Sequence, residues 1–435
     1  MRGGPARPTA VVLGYTTNAL GVYRCLGRHG IPVIAVHADV RDPILASRYC
    51  RPVDSPPAED ARAYERCLLD LAAHLGDGPV LIPTGDQTVR FVSERRESLA
   101  RSFRFVLPPP GVVEAFLDKR SFYLLAKAHG LPVPATIWVE GGTEIGAIVS
   151  RVPLPAVVKP VYSPTWHTPA AQVALGNRSG HPIKRLLVRS AAELQEALAR
   201  ALPLGGEVIV QQYLEGADDQ FHDASIYMGP AGTVAGAFTS RRLRTFPGEG
   251  AGLTSSKESV MVPELLDAST RFLRAINYRG CVGIQFKRHV RDGRFYAYEA
   301  NPRTLMTNFH ATCCGVPLPL MAYWDALGGP IPTPRPTRPG VKWIVLEREL
   351  RAALEYRRRG ELTLRRWVRS LRGPKVFGYW TWDDPRPAVV RLLRTCAWWR
   401  RLNSGGTRWL RRGLLALSDR LLQPSGPQAL EGGGR

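Results

Sequence analysis

One predicted hairpin constrains this chain more than any other feature. Residues 281–287 and 295–300 are apolar strand signals that pair across a turn at Asp292-Gly293. Side chains alternate along a strand, so Gln285 and Lys287 share one side of the first strand. Glu299 and Asn301 share one side of the second. Three oxygen donors (Gln285, Glu299, Asn301) converging from adjacent strands suit Mg²⁺, a hard cation that keeps water and phosphates as its other ligands. Arg303 follows directly. A fixed guanidinium there stabilises developing phosphoryl or oxyanion charge.

Upstream, residues 10–13 form a short apolar run, followed by a glycine-bounded loop over 14–21. Val22, Leu26 and Ile31 then fit one helical face, and a second apolar run covers 33–36. This predicts a parallel βαβ unit. The loop lacks G-x-G-x-x-G spacing, so it is weak evidence for a dinucleotide site. Runs at 80–82 and 105–107, with a helix over 61–75, complete a small open α/β domain over residues 1–112. A helix is predicted over 112–129, an extended segment from 131, helices over 191–201 and 265–276, and strands at 156–160, 208–210, 224–228 and 234–238. Residues 113–330 therefore read as an antiparallel-rich α+β domain. A proline-rich stretch over 330–339 has the composition of a linker, and residues 331–435 form a carboxy-terminal extension.

Only eight of the 59 basic residues are lysines, so a lysine ending an apolar run is informative. Lys159 ends Ala156-Val-Val-Lys159. It is either a phosphate ligand or a lysine whose head reaches water from a strand end. The segment 208–216 is an apolar strand running into a polar turn, where backbone groups can pair with a flat base while Leu214 packs its face. Asp218 and Asp219 follow. Each is either an acceptor for a ribose hydroxyl or ordinary turn chemistry.

The order of these pieces resembles the ATP-grasp superfamily, the carboxylate–amine ligase type in particular. The motifs are Leu117-Asp-Lys-Arg120, Val157-Val-Lys-Pro160, Gln211-Gln-Tyr-Leu-Glu-Gly216, Arg241-Arg-Leu-Arg244 and Glu299-Ala-Asn-Pro-Arg303. They follow an amino-terminal α/β domain, and the likeness runs from about residue 10 to 329. The resemblance implies an ATP-grasp fold with ATP and Mg²⁺ as cofactors. Lys119 and Lys159 correspond to lysines that reach the phosphates. Gln211, Gln212, Tyr213 and Leu214 correspond to the hinge that holds adenine, and Asp219 or Asp218 to the acid on the ribose. Gln285, Glu299 and Asn301 correspond to the metal ligands, with Gln285 standing where many members have Glu. Arg303 corresponds to the arginine that steadies an acyl phosphate, and Arg242 or Arg244 to a helper on the substrate or phosphate side. The implied reaction activates a small carboxylate as an acyl phosphate and passes it to an amine. Carboxylation through carboxyphosphate uses the same ATP site.

Asn18 and Thr84-Gly-Asp86 are candidate substrate contacts, and His310 is either a substrate group or a structural histidine. The long segment 162–184 departs from the family's short glycine-rich loop, although Gly176-Asn-Arg-Ser-Gly180 offers one means of closing over ATP. A homodimer is compatible with this reading.

Formal net charge is +22, which suggests a nucleic-acid binder at first sight. Yet residues 331–435 carry 23 basic and 8 acidic residues, a net +15, and seven of the ten tryptophans. The excess belongs to the extension, so no specific nucleic acid is expected. Helical spacing at 343–359, 362–371, 389–402 and 408–422 predicts a helical extension. It either lies on an anionic membrane surface or docks on the ligase body with a solvated basic face. Residues 423–435 are expected to be disordered. The seven cysteines show no zinc spacing and read as reduced, packed thiols. No signal peptide and no membrane-length apolar run is present, so the expected location is cytoplasmic, peripheral at the inner membrane if the extension binds lipid.

Overall fold

The computed structural model describes residues 7–403 except 15, 40, 77, 140–141, 162, 167, 178–182, 206 and 249–251, together with residues 418 and 422. Three sheets organise the chain. The first is parallel: β1 (Ala10–Leu13), β2 (Val33–His37), β3 (Arg51–Asp54) and β4 (Val80–Pro83), in the order β3-β2-β1-β4. Every residue of β1 is buried, as expected for a central strand covered on both faces. The helix Ala61–Leu75 covers one face with Tyr64, Leu68 and Ala72, which recur at helical spacing. Asp60 caps it, its carboxylate accepting from the Ala63 amide at 3.1 Å.

The loop expected over 14–21 is mostly helix, Thr16–Gly27. Gly14, at φ +123°, makes the turn that lets the helix start so early. Gly21 is required by packing, because a Cβ there would sit 2.3 Å from the Asn308 side-chain oxygen. The run at 105–107 is not a strand, and only Arg104 bridges to Val80 beside it. The helix expected over 112–129 is two helices, Pro110–Leu117 and Lys119–Ala128. Asp118 breaks it by leaving helical geometry and capping the second, accepting from the Ser121 amide at 2.7 Å.

The second sheet is antiparallel and small: β5 (Thr136–Val139), β6 (Ala156–Pro160), β7 (Leu186–Val188) and β8 (Val208–Gln212), in the order β5-β8-β6-β7. The third sheet has seven strands. They are β9 (Phe221–Met228), β10 (Val234–Phe246), β11 (Leu253–Val260), β12 (Gly280–Arg288), β13 (Phe295–Asn301), β14 (Lys342–Ile344) and β15 (Lys375–Phe377). Their order is β13-β12-β9-β10-β11-β14-β15, antiparallel except between β14 and β15.

The last two strands correct the expectation of a purely helical extension. Residues 342–344 and 375–377 extend the central sheet, with Trp343 buried beneath it. The helix begins only at Leu346 and runs to Arg358, and a second helix covers Leu364–Ser370. The helix Arg386–Asn403 covers the helix expected over 389–402. The segments expected at 408–422 and 423–435 lie outside the described residues, apart from 418 and 422.

Two buried ion pairs fasten this segment to the rest. Arg24 meets Asp384 at 3.0 Å with both side chains fully buried. Asp384 also accepts from the Ser47 hydroxyl at 2.8 Å and the Arg48 amide at 2.9 Å. Glu349, equally buried, accepts from Arg244 Nε at 2.6 Å, the Ser255 hydroxyl at 2.8 Å and Trp367 Nε1 at 3.0 Å. One carboxylate therefore holds the amino-terminal domain and the other holds β10 and β11.

Candidate active site

The second and third sheets face each other across a cleft of ≈ 440 Å³, within the range typical of small-molecule sites. Lys159, Gln211, Gln212, Tyr213 and Leu214 line it from one side, and Arg242, Lys257, Gln285, Lys287, Glu299, Asn301 and Arg303 from the other. Ten of the thirteen expected site residues counted with Asp218 thus face one cavity; Lys119, Asp218 and Asp219 do not line it.

On the upper side, Lys159 Nζ donates to Gln211 Oε1 at 2.9 Å. Gln211 Nε2 donates in turn to Thr136 Oγ1 at 2.8 Å. Burial, with the charges of Lys119 and Arg185 nearby, pushes Lys159 down to about 7, while Glu299 opposes that shift. Lys119 opens its helix and donates to the Val161 carbonyl at 3.0 Å. It shares a small neighbouring recess with Lys159, and burial lowers it as well. The hinge leaves β8 through Tyr213, whose amide donates to the Pro155 carbonyl at 2.9 Å. Leu214 beside it is buried.

The floor is set by register. Gln285 on β12 stands opposite Glu299 on β13, and Gly283 opposite Asn301. These are all oxygen donors, which fits Mg²⁺, with two amides and a single carboxylate. Arg303 Nη2 donates to Asn301 Oδ1 at 3.0 Å, and its Nε donates to Asp86 Oδ1 at 2.6 Å. Asp86 opens a helix of the amino-terminal domain, so that domain reaches the floor directly.

A bulge decides between the two candidate arginines of β10. Strict alternation puts Arg242 and Arg244 on one face. The register slips between them, Arg242 facing Lys257 and Arg244 facing Ser256. Arg242 lines the cleft with its guanidinium 4.2 Å from the Phe221 ring centroid. Arg244 turns to Glu349.

Several candidates lie elsewhere. Asp219 is exposed and accepts from Gln220 Nε2 at 2.9 Å. Asp218 accepts from the hydroxyls of Thr245 and Tyr356. Asn18 is buried, and its amide donates to the carbonyls of Thr84 at 2.6 Å and Thr304 at 2.7 Å. Its role is to stitch the first domain to the loop after β13. His310 is fully buried, held far below the usual histidine range at about 3 by burial, with Nε2 2.9 Å from the Val341 carbonyl. It is a neutral structural histidine. Among the described residues, Cys25 and Cys314 are buried and no disulfide forms. The loop Gly176–Gly180 lies partly outside the described residues, but Lys184 and Arg185 at the end of that segment line the cleft.

Sequence reasoning missed Lys257. It lines the cleft almost fully buried, in contact with the Asp223 carboxylate. Burial lowers this lysine to about 7. The available signal was the rarity of lysine: Lys159, Lys184, Lys257 and Lys287 all line this one cleft.

Two grasping sheets around such a cleft match proteins of known structure. The chain superposes on N5-carboxyaminoimidazole ribonucleotide synthetase in its ADP complex with a TM-score of 0.58, at 12% identity, covering 77% of this chain and 80% of that one. It superposes on the biotin carboxylase domain of Hydrogenobacter thermophilus 2-oxoglutarate carboxylase, in complex with MgADP, ADP and bicarbonate, with a TM-score of 0.56 at 16% identity, covering 77% and 73%. The chain has the ATP-grasp fold.

In sequence, it is 22% identical over 324 residues to the D-aspartate ligase of Enterococcus faecium, covering 71% of this chain and 74% of that protein. It is 24% identical over 262 residues to the carbamoyl phosphate synthase large chain of Gemmatimonas aurantiaca, covering 57% of this chain but only 21% of that one. The chain thus spans about a fifth of the length of that relative. No family model matches it.

Proposed function

We propose that this protein is an ATP-dependent carboxylate–amine ligase. The observation that carries the reading is the convergence of Lys159, Gln285, Glu299, Asn301 and Arg303 on one cleft between two antiparallel sheets. ATP lies between the sheets, its adenine against Gln211–Leu214 and its phosphates toward Lys159 and Lys119. Gln285, Glu299 and Asn301 would hold Mg²⁺, which supplies charge neutralisation at the phosphates. A substrate carboxylate oxygen attacks the γ-phosphorus, giving an acyl phosphate and ADP. An amine nitrogen then attacks the acyl carbon, expelling phosphate and losing a proton as the amide forms.

The protein's work is positioning and charge stabilisation. Arg303, pre-oriented by Asp86 and Asn301, is placed to hold the acyl phosphate. Arg242 adds positive charge on the floor. The acid and amine enter the cleft beside the contact between Arg303 and Asp86. Residues 1–112 and 113–330 serve as the pre-grasp and catalytic domains, and the described part of the 331–435 extension as a strap across both. For that strap we propose contact with an anionic surface, on the strength of its net +15.

The test is ADP release by purified protein with pools of amino acids and small acids, and with hydroxylamine as a trap. A ligase releases ADP only when both acid and amine are present, and hydroxylamine replaces the amine to give a hydroxamate. ADP release that needs bicarbonate alone would instead make the protein a carboxylase.

A further inference from the structure

Among the described residues, none covers one face of the strap. On the helix Leu346–Arg358, Leu346, Leu350 and Leu354 recur every fourth residue, so they form one row. They are 55%, 45% and 56% exposed. The packing side of this helix is a different one, carrying buried Glu349, Ala352 and Ala353. On the next helix, Leu364–Ser370, Leu364 and Val368 repeat the spacing at 55% and 49% exposure.

Charge on this face has one sign. Arg357, Arg358, Arg365, Arg366, Arg369 and Arg372 are exposed, and among the described residues none has a carboxylate partner. The acids of the strap turn elsewhere. Glu347 pairs with Arg391, Glu349 with Arg244, and Glu355 and Glu361 with Arg359. Asp383 and Asp384 pair with Arg28 and Arg24 of the amino-terminal domain. The arginines are therefore left unneutralised beside a row of half-exposed leucines.

Three occupants meet this chemistry unequally. A second copy in a two-fold contact would set the same arginines against each other. A nucleic acid would neutralise the arginines but offers the leucines no apolar phase. An anionic bilayer surface offers headgroups to the guanidinium groups and an acyl boundary to the leucines. We propose that the face made by Leu346–Arg358 and Leu364–Ser370 docks on an anionic lipid surface. This rests on the anionic contact proposed for the strap, and names its face and its partner.

The experiment is co-sedimentation of the full chain with phosphatidylcholine vesicles, with and without phosphatidylglycerol. The chain sediments only when phosphatidylglycerol is present. R365Q/R366Q/R369Q lowers the partition coefficient about 100-fold, at roughly fivefold per arginine near the surface. L350Q/L354Q also lowers it, while leaving the salt dependence of residual binding unchanged. R62Q/R66Q/R101Q removes equal charge from exposed sites of the first domain and stays within about twofold of wild type. All the substituted residues are solvent-facing, and unchanged circular dichroism confirms folding. Wild type that ignores phosphatidylglycerol overturns both the anionic contact and this face. Wild type that binds while the control loses as much as R365Q/R366Q/R369Q, or while L350Q/L354Q loses nothing, overturns the face alone. Tight RNA binding lost in R365Q/R366Q/R369Q, without vesicle binding, overturns the lipid.

Discussion

Replacing Glu349 by Gln tests whether the carboxy-terminal segment is part of the folded body. The carboxylate is fully buried, and its ion-pair partner Arg244 is 4% exposed. E349Q keeps the shape but leaves a buried guanidinium uncompensated. Breaking a buried pair from one side costs about 3–5 kcal/mol. A unit of this size shifts its melting temperature by roughly 1–2 °C per kcal/mol, extrapolating from smaller domains. The expected fall is therefore about 3–10 °C, read by differential scanning calorimetry or fluorescence. The double variant R244M/E349L removes both charges and should recover most of that loss, because apolar replacement of a buried pair is often neutral. The Ser255 hydroxyl and Trp367 indole then lose an acceptor, so recovery stays incomplete by about 1–3 kcal/mol. A melting temperature for E349Q within 1 °C of wild type would refute the reasoning (about that much is measurement scatter). So would a double variant less stable than E349Q.

Other outcomes follow from the same contacts. Lys159 sits at about 7 in the free protein, below the 10.5 of an ordinary lysine, so it is mostly neutral at pH 8. A phosphate beside it restores the proton, so ADP binding at pH 8 takes up close to one proton. Titration calorimetry in buffers of different ionisation enthalpy measures this uptake, and a value of zero contradicts it. The linkage to stability has a definite sign. Between about pH 7 and 10.5 the unfolded chain holds the Lys159 proton and the folded chain does not, so this lysine's destabilising contribution shrinks as pH rises. Q285E adds a second carboxylate opposite Glu299 and should lower the Mg²⁺ concentration needed for tight ADP binding about tenfold, whereas an unchanged requirement argues against Gln285 as a ligand. Truncation after Gly340 removes β14, β15 and Glu349 together, and should give protein that limited proteolysis digests much faster than the full chain.

Much of the cleft was legible because its chemistry sits on regular strands. Gln285, Glu299 and Asn301 follow from period-two alternation in a hairpin whose turn is marked by Asp292-Gly293. Lys159 stood out as a cation closing an apolar run. Arg242 and Arg244 were not separable, because a bulge is a pairing defect and leaves no mark in one strand read alone. Lys257 was missed because β11, Leu253–Val260, carries six polar residues in a row and does not look like a strand. Its buried charge is paired with Asp223, supplied by another strand.

The extension shows the same limit on a larger scale. Composition located the charge excess after residue 331, and helical spacing located most of its helices. Neither could show that Glu349 and Asp384 point inward to arginines 105 and 360 residues away. Local sequence determined the elements, the hairpin and the rarity of lysine, since propensity and periodicity act over a few residues. Tertiary structure alone decided which charges are paired and buried and which remain outside. A buried charge needs a partner brought to it by the fold, and only that pairing separates the acids that tie the strap down from the arginines left free on its surface.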